Sequence, residues 1–255
     1  MITSLTNPKV RHARELLHRR RAREEHRQFV VEGVRLVEEA HRAGKTPALF
    51  FYTAAFARTA AGQRLGLPTG VVVSDKVLAA ISDTVTPQGV VAVVPFPQID
   101  VARRSLLLVL DNVRDPGNVG TLLRSGAAAG VDEVLVAPGS ADPYSPKVVR
   151  AAMGAHFRLA LGEADWPAIA GRVAGLAVLL ADAAGEVAYD RHDWQTPSAL
   201  IVGGEAEGAS AEGRALATQR VRIPMQRNSE SLNAAVAGSV ILFEAARQRR
   251  LNIKT

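Results

Sequence analysis

Short apolar runs separated by stretches of helical periodicity fill the first hundred residues. The runs "FVVEG", "ALFFY", "VVVS" and "VVAVV" predict four strands, because apolar β-branched and aromatic residues are concentrated in them. Between these runs, the spacing of apolar positions predicts helices over 34–42, 54–65 and 75–81. Strands and helices therefore alternate in this half of the chain.

The same alternation continues through the second half. Further strands are predicted at "LLLVL", "EVLVA", "FRLAL", "LAVLLA", "ALIVG" and "VRIPM", and helices over 120–130, 146–154, 166–173 and 232–249. Such alternation is typical of α/β proteins, in which mainly parallel sheets are covered by helices on both faces. The proline-containing stretch "PFPQIDVARRS" interrupts the pattern. We therefore predict one domain over 1–98, a linker over 99–105 and a second domain over 106–255.

Composition limits the class of protein. The chain has 255 residues, of which 47% are hydrophobic, so it is long enough for two domains with their own cores. The absence of cysteine excludes disulfides, thiolate metal sites and cysteine nucleophiles. No apolar run approaches the ~18 residues of a membrane span, and the polar start "MITSLTNPKV" lacks the apolar core of a signal peptide. These features predict a cytoplasmic protein.

Positive charge is concentrated near the amino end. The net charge of +6 and the pI of about 10.1 favour an anionic partner, because Lys and Arg displace counterions from phosphates. Lys and Arg outnumber Glu strongly between residues 8 and 27. Within this segment Arg19, Arg20, Arg21 and Arg23 are predicted to contact the phosphates of a nucleic acid, RNA or DNA. A solvated helix face and a polyanionic protein partner are the alternatives.

The stretch "DNVRDPGNVGTLLRSGAAAG" directly follows the strand "LLLVL". Its "DPG" is a turn signal, and Asn118 is predicted to cap the helix that follows. Apolar residues occupy one face of that helix, which leaves Arg124 on the other face. Open α/β sheets bind ligands at the carboxyl ends of their strands, so both residues are site candidates. An ordinary helix cap and an ordinary solvated arginine are the alternatives.

Two later stretches follow strands in the same way. "ALIVGGEAEG" ends a strand at Gly203 and Gly204, which let a ligand approach the backbone, and then presents Glu205. In "VRIPMQRNSESLNAAVAGS", Ser231 and Asn233 begin an amphipathic helix. Taken separately, Glu205 as a surface acid and Ser231 as a helix cap are the alternatives. Taken together, the three strand-to-loop junctions predict one polar site.

These three stretches, in this order, resemble the three motifs of the SpoU (TrmH) family of RNA ribose 2'-O-methyltransferases, within the SPOUT superfamily. The resemblance covers residues 106–250 and includes "PYSPKVVRAAMGAHF", while residues 7–44 resemble the substrate-binding domain of the ribosomal RNA members. It implies an α/β fold, with a small amino-terminal α/β RNA-binding domain and a SPOUT domain whose parallel sheet contains a deep trefoil knot. It also implies S-adenosyl-L-methionine as cofactor, no metal, and a homodimer formed through the knotted domain.

The resemblance also assigns residues to roles. It implies a catalytic polar group around the reacting ribose, formed by Asn118, Arg124, Glu205, Ser231 and Asn233. It implies cofactor contacts, several of them through backbone atoms, at Val202, Gly203, Gly204, Ile223, Met225, Ser231 and Leu232. Arg114 and Arg227 are predicted as further RNA contacts, in addition to the amino-terminal arginines. The sequence departs from the family pattern at Gly204, where Asn is frequent, at Arg227, where Gly is common, and at Ala234 and Ala235, where Val and Ser are frequent.

The function that this resemblance implies is methylation of a ribose 2'-hydroxyl in RNA. Large-subunit (23S) ribosomal RNA is favoured over transfer RNA, because the amino-terminal domain resembles that of the ribosomal RNA members. A non-catalytic RNA-binding protein of this fold is a further alternative, although it would be expected to lose Arg124, Glu205 or Asn233. A nicotinamide-dependent oxidoreductase is disfavoured, because the sequence lacks the glycine fingerprint of dinucleotide-binding folds.

Overall fold

The computed structural model of the chain describes residues 1–66, 70–205, 207–226 and 231–251. Its contacts divide the chain into two compact units. The amino-terminal unit comprises Met1–Gln98 and Tyr144–Phe157, and the carboxyl-terminal unit comprises Ile99–Pro143 and Arg158–Thr255. The domain limits proposed from the sequence, with their linker over 99–105, stay a prediction. Within the described ranges, no helix has the length and apolar character of a membrane span.

Helices and strands alternate in the amino-terminal unit, as the sequence predicts. Its helices are α1 (Pro8–His18), α2 (Arg20–His26), α3 (Val34–Arg42), α4 (Ala54–Ala57), α5 (Ala60–Arg64), α6 (Asp75–Ala80) and α8 (Pro146–Ala152), followed by a short 3-10 helix over Ala155–Phe157. Its strands are β1 (Gln28–Glu32), β2 (Leu49–Thr53), β3 (Val71–Val73) and β4 (Val90–Pro95). The four strands and helices α3 and α6 are confirmed with bounds that differ from the prediction by at most one residue.

The helix predicted over 54–65 is two short helices, α4 and α5. Thr59 separates them, and its side-chain oxygen accepts a hydrogen bond from the Gly62 N–H at 3.0 Å, so that it caps α5. A Cβ atom at Gly62 would lie 2.3 Å from the carbonyl oxygen of Phe56, so only glycine allows the two helices to pack this closely. The apolar periodicity continues across the break, which explains the single predicted helix.

The sheet of the amino-terminal unit has the strand order β1-β4-β2-β3. Strand β4 is antiparallel to both β1 and β2, and β2 is parallel to β3. The prediction of a mainly parallel sheet is therefore wrong for this unit. Apolar patterning reports which residues are buried, and it carries no information about the direction in which a strand enters the sheet.

The carboxyl-terminal unit contains the larger sheet. Its strands are β5 (Leu106–Asp111), β6 (Glu133–Val136), β7 (Ala160–Glu163), β8 (Ala177–Ala181), β9 (Val187–Ala188), β10 (Ser198–Gly203) and β11 (Gln219–Arg222). Its helices are α7 (Pro116–Ala129), α9 (Trp166–Val173), α10 (Ala211–Leu216) and α11 (Ala234–Leu251). All paired strands are parallel, in the order β7-β6-β5-β10-β8-β11-β9, which confirms the predicted parallel sheet. The trefoil knot stays a prediction.

Strand β10 lies at the centre of this sheet, between β5 and β8. The register places Gly203 opposite Asp111 and Val202 opposite Ala181, so the carboxyl ends of the three strands lie at one edge. The chain crosses over between β5 and β10, which are far apart in sequence, and such a switch in strand order is where α/β sheets form ligand crevices. The loops that follow these strands therefore meet at one place.

Two strand positions differ from the prediction. Strand β7 begins at Ala160, because Phe157, the first residue of the predicted strand "FRLAL", is the last residue of the 3-10 helix Ala155–Phe157. Strand β11 ends at Arg222, before Pro224, whose ring nitrogen has no hydrogen to donate to a ladder. The two-residue strand β9 and the short polar helix α10 are not predicted, because neither contains an apolar period.

Helix α11 packs closely on α7 and on the sheet. A Cβ atom at Gly238 would lie 2.6 Å from Leu122 and 3.0 Å from Val202, so this glycine permits the close approach expected from the small residues of the helix. The Ser239 hydroxyl donates to the Ser125 hydroxyl oxygen at 2.8 Å across the same contact. The amino-terminal end of α11 is thereby held against the loops at the edge of the sheet.

Candidate active site

The loop after β5 begins helix α7 with a different cap from the predicted one. Asp115, and not Asn118, is the N-cap, and its side-chain oxygen accepts from the Asn118 N–H at 2.9 Å. Pro116 occupies the first helical turn, where a missing N–H carries no penalty. The amide side chain of Asn118 therefore takes no part in capping and is available to other groups.

The loop after β10 is closed on itself. Gly204 and Gly208 exchange backbone hydrogen bonds of 3.2 and 3.1 Å. A Cβ atom at Gly204 would lie 2.2 Å from the carbonyl oxygen of Asn112, and one at Gly203 would lie 2.4 Å from the Ala209 nitrogen. Protein backbone, rather than a ligand, therefore explains why both positions are glycine. This closed loop holds Glu205 at its tip.

The loop before α11 provides its own cap. The side-chain Oδ1 of Asn233 accepts hydrogen bonds from the N–H groups of Ala235 and Val236 at 3.0 and 3.2 Å. Asn233 therefore caps α11, which removes Ser231 as the candidate cap. Ser231 is exposed, two residues ahead of the cap.

Three polar side chains from these loops meet. Glu205 Oε1 accepts a hydrogen bond of 2.5 Å from Asn118 Nδ2 and another of 2.5 Å from Asn233 Nδ2. Asn233 Nδ2 also donates to Asn118 Oδ1 at 3.1 Å, across a sequence separation of 115 residues. We call these three residues the Asn–Glu–Asn cluster. It confirms the prediction that the three junctions come together, and it fixes one carboxylate oxygen by two amide donors.

Arg124 lies outside this cluster. It is exposed on α7, and within the described part of the chain its side chain has no hydrogen-bond or ion-pair partner. The structure thus confirms that Arg124 points away from the apolar face, but it does not bring the guanidinium into contact with Asn118, Glu205 or Asn233. Its predicted catalytic role stays a prediction.

A cleft of about 420 Å³ opens at the carboxyl ends of β8, β10 and β11, and we call it the main cleft. Its wall includes all seven residues predicted to contact a cofactor: Val202, Gly203, Gly204, Ile223, Met225, Ser231 and Leu232. Buried apolar residues, among them Leu180 and Ile241, form much of the remainder. The size and the mainly apolar wall fit a nucleoside-sized ligand.

The main cleft also contains two charged residues that the sequence reasoning missed, Asp182 and Arg214. Asp182 follows β8 directly, so the rule that found Glu205, an acid at the carboxyl end of a buried strand, also applies to it. Arg214 lies on α10, which has no sequence signal of its own. The two side chains are paired, with 3.3 Å between Arg214 Nη1 and Asp182 Oδ2.

A second cavity of about 330 Å³ lies beside the main cleft, and we call it the side cavity. The two cavities share Gly204 and Glu205, and Asn118 lines the side cavity. Arg114, predicted to contact RNA, is exposed at the side cavity, where its guanidinium donates to both carboxylate oxygens of Glu207 at 2.8 and 3.4 Å. The Asn–Glu–Asn cluster therefore stands where the two cavities meet.

A buried carboxylate supports the loop that carries Glu205. Asp111, at the end of β5, is fully buried, and its Oδ2 accepts from the Ser210 N–H at 2.7 Å and from the Ser210 hydroxyl at 3.0 Å. Burial raises the pKa of the Asp111 carboxyl, and the hydrogen bonds from Ser210 partly offset this rise. Asp111 thus ties the loop between β10 and α10 to the end of β5.

The predicted RNA contacts near the amino end separate into two groups. Arg19, between α1 and α2, and Arg20 and Arg21, in the first turn of α2, are exposed. Arg23 is only 5% exposed, and its Nη1 donates to the carbonyl oxygens of Leu16 and Leu17, so that it caps the carboxyl end of α1. This burial does not fit a phosphate contact, and we correct the predicted set by removing Arg23. Arg227 lies outside the described residues.

The parallel sheet, the crevice at its switch point and the polar cluster define an α/β enzyme domain that binds a nucleoside-like ligand. The family described as SpoU rRNA Methylase matches residues 105–243, and the MRM3-like substrate binding domain matches residues 7–92. The chain belongs to the SpoU rRNA methylase family, which confirms the resemblance found in the sequence.

Relatives match along most of the chain. The 23S rRNA (guanosine(2553)-2'-O)-methyltransferase RlmP of Bacillus subtilis is 31% identical over 247 residues, 95% of this chain and 97% of that protein. The mitochondrial rRNA methyltransferase 3 of Homo sapiens is 31% identical over 291 residues, 89% of this chain and 69% of that protein. The crystal structure of the SpoU methyltransferase AviRb from Streptomyces viridochromogenes, in complex with AdoMet, has a TM-score of 0.86 and 30% identity and covers 96% of this chain and 98% of that one.

Proposed function

We propose that this protein methylates a ribose 2'-hydroxyl in RNA with S-adenosylmethionine, and that large-subunit (23S) ribosomal RNA is its substrate. Its family, its two ribosomal RNA methyltransferase relatives and the AdoMet-bound neighbour support this function. The observation that carries the proposal is the position of the Asn–Glu–Asn cluster, between one cavity suited to the cofactor and another suited to the ribose.

The main cleft has the chemistry that the cofactor requires. Ile223, Met225 and Leu232 offer apolar surface to an adenine ring, and Gly203 and Gly204 offer backbone groups without intervening side chains. Bound S-adenosylmethionine supplies an electrophilic methyl group. Residues of the main cleft bind and orient the cofactor, and the glycine loop keeps Glu205 at the border of the side cavity.

Methyl transfer from a sulfonium to a hydroxyl requires in-line placement of the two groups and removal of one proton, so positioning supplies much of the rate. We assign this positioning to Asn118, Glu205 and Asn233, with Ser231 at the cleft side of the cluster. The two amides hold one carboxylate oxygen of Glu205 in place. Because these hydrogen bonds fix the orientation of the whole carboxylate, the second oxygen, Oε2, also has a fixed position and can accept a hydrogen bond from the ribose.

Arg124 receives a different role. A guanidinium has a pKa above ~12 and scarcely deprotonates, so it is a poor general base. Its exposed position on α7 suits contact with the RNA phosphate next to the target ribose, and its positive charge stabilises negative charge that develops on the attacking oxygen. The proton then leaves through the phosphate, through water or through a transiently neutral arginine.

RNA contacts away from the reacting ribose are assigned to the exposed arginines. Arg20 and Arg21 form ion pairs with Glu24 and Glu25 in which the arginine side chains stay 49% and 88% exposed. Such surface pairs contribute little to stability, because solvent screens the two charges, so a phosphate displaces the glutamate readily. The same exchange applies to Arg114 and Glu207 at the side cavity. Arg227 completes the proposed set.

Replacing Arg19, Arg20 and Arg21 together with Gln is expected to weaken RNA binding and to lower the slope of log K against log salt by about 2, since each lost phosphate contact removes about 0.7–0.9 of counterion release. Affinity for S-adenosylmethionine should stay the same. The measurement is filter binding of a ribosomal RNA fragment between low and moderate salt.

The matched control replaces three other exposed arginines of the same unit, Arg35, Arg42 and Arg58, with Gln. This triple variant loses the same net charge, so it separates a localised contact from a general charge effect. Equal salt slopes for the two triple variants would contradict the assignment.

A homodimer is the proposed form of the protein. Helix α11 and the residue before its cap expose Leu232, Val236, Phe243 and Leu251, with 38%, 47%, 46% and 60% of their surface accessible. Their spacing follows the helical period, which makes one apolar stripe, and exposed stripes of this kind mark protein interfaces. We infer that two copies bury it against each other, and that the protein works in the cytoplasm, as suits its relatedness to a bacterial ribosomal RNA enzyme.

The test of the function is methyl transfer from labelled S-adenosylmethionine to 23S ribosomal RNA, followed by mapping of the modified position. We expect a single nucleotide whose 3' linkage resists alkaline hydrolysis, because a methylated 2'-oxygen cannot attack the neighbouring phosphate. Label in a base, or transfer to transfer RNA in preference to ribosomal RNA, would contradict the proposal. An Asn118→Ala Asn233→Ala double variant, which leaves Glu205 unsupported, is the negative control.

A further inference from the structure

A carboxylate and a guanidinium lie next to each other in the wall of the main cleft. Asp182 is fixed by a hydrogen bond of 2.9 Å from the Ala184 N–H to Oδ1, and its Oδ2 faces Arg214 Nη1 at 3.3 Å. Arg214 is fixed in turn by a hydrogen bond of 3.2 Å from Nε to the carbonyl oxygen of Ala209. Each side chain is thus held by the backbone on one side and presents its charge to its partner and to the cleft.

Both groups keep access to a ligand. The side chain of Arg214 is 48% exposed and that of Asp182 is 19% exposed, and both line the main cleft. Within the described ranges, the only other charged residue of the cleft is Glu205, which the two asparagines already bind. At 3.3 Å and with its arginine half-exposed, this ion pair contributes little to stability by itself, so its members can exchange partners at low cost.

The cofactor carries a matching pair of charges. Its amino-acid end has an α-carboxylate and an α-ammonium, which are complementary to a guanidinium and a carboxylate placed next to each other. We propose, on the basis of the function proposed above, that Arg214 binds the α-carboxylate and Asp182 binds the α-ammonium of the cofactor. The pair then determines the specificity of the cleft for adenosyl compounds that carry an amino-acid end.

The order of strands supports this assignment. Along the edge of the sheet, the Asn–Glu–Asn cluster lies at β5 and β10, Asp182 follows β8, and the apolar residues Ile223 and Met225 follow β11. The cleft therefore has three chemically different regions: a polar one, a charged one and an apolar one. A sulfonium has three substituents, and the methyl, amino-acid and adenosyl groups match these regions in that order.

The test is calorimetric and requires neither RNA nor turnover. Four adenosyl ligands are titrated. S-adenosylmethionine and S-adenosylhomocysteine keep both charges of the amino-acid end, decarboxylated S-adenosylmethionine lacks the carboxylate, and 5'-methylthioadenosine lacks the amino-acid end. The variants are Arg214→Gln and Asp182→Asn. The control is Arg220→Gln, because Arg220 forms an exposed ion pair with Glu186 and does not line the cleft.

We expect Arg214→Gln to lower the affinity for S-adenosylhomocysteine and S-adenosylmethionine by at least about 10-fold, which is the usual effect of losing a hydrogen bond to a charged group. The affinity for the decarboxylated ligand should stay within about 2-fold of the parental value. Asp182→Asn should lower the affinity for every ligand that carries the ammonium and leave the affinity for 5'-methylthioadenosine unchanged. Arg220→Gln should change none of them. Melting temperatures and unchanged 5'-methylthioadenosine binding show that the cleft of each variant is intact.

Two results would overturn the inference. A parent protein that binds 5'-methylthioadenosine as tightly as S-adenosylhomocysteine does not recognise the amino-acid end. Equal losses for all ligands in Asp182→Asn would mean that the carboxylate binds the ribose hydroxyls instead. Both outcomes leave cofactor binding by the parent protein in place, whereas failure of the parent protein to bind any adenosyl ligand would contradict the proposed function itself.

Discussion

An Arg124→Ala variant is expected to lose at least ~100-fold in single-turnover methyl transfer to ribosomal RNA, while its melting temperature stays close to that of the parent protein. The loss is typical of removing one preorganised electrostatic partner of a developing charge. Stability should be retained because Arg124 is exposed on α7 and makes no hydrogen bond or ion pair with a described residue, and surface substitutions usually change stability by less than ~0.5 kcal/mol.

Arg124→Lys separates charge from geometry. A lysine ammonium is a point charge and cannot reproduce the planar fork that binds a phosphate through two parallel hydrogen bonds, so we expect this variant to lose nearly as much rate. Thr121→Ala is the matched control, because Thr121 is exposed one turn earlier on the same helix. A Lys variant with the parental rate would reduce Arg124 to a general positive charge, and an Ala variant with the parental rate would remove it from the active site.

A Glu205→Ala variant is expected to show a loss of similar size, about 100-fold, in the same single-turnover assay. Removal of the carboxylate leaves Asn118 and Asn233 without their shared acceptor, so the group that positions the ribose loses its fixed geometry. Stability should change little, because Glu205 is exposed at the tip of its loop and Asn233 keeps its capping bonds through Oδ1.

Glu205→Gln makes this prediction sharper. Both asparagines donate to the same oxygen, Oε1, and the carbonyl oxygen of a glutamine can accept both bonds. The substitution therefore keeps the arrangement and removes only the negative charge. We expect an intermediate rate, between those of the Ala variant and the parent protein. Glu212→Gln is the control, because Glu212 is an exposed carboxylate on α10 that lines neither cavity. An Ala variant of Glu205 that equals this control in rate would exclude Glu205 from catalysis.

Much of the carboxyl-terminal unit could be predicted because the strands β5, β6 and β10 are buried along nearly their whole length. Strands such as Leu106–Asp111 are apolar at nearly every position, and continuous runs of this kind are typical of parallel sheets covered on both faces. The site followed from the same pattern, since the carboxyl ends of neighbouring strands must share an edge. The seven cofactor positions at the main cleft are the result of that rule together with the family motifs.

The wrong and the missed site predictions concern residues whose partners lie outside their own local segment. Asn118 has the side chain of a helix cap, but Asp115 occupies that position three residues earlier. Arg23 lies in a basic segment whose composition predicts a solvated surface. The turn between α1 and α2 brings its guanidinium to the carbonyl oxygens at the carboxyl end of α1. Arg214 lies on a short helix without an apolar period, so nothing in the local sequence connects it with Asp182. Contacts between distant segments decide each of these cases.

Asn233 performs two tasks with one side chain, since its oxygen caps α11 and its nitrogen binds Glu205. The order of synthesis gives this arrangement a consequence, because Asn118 and Glu205 leave the ribosome well before Asn233 does. A growing chain has the carboxylate and one amide, but it cannot complete the cluster until the last helix has formed its first turn. Because the proposed function requires the complete cluster, we expect nascent chains, although they are made beside abundant ribosomal RNA, not to methylate it until α11 has emerged and folded.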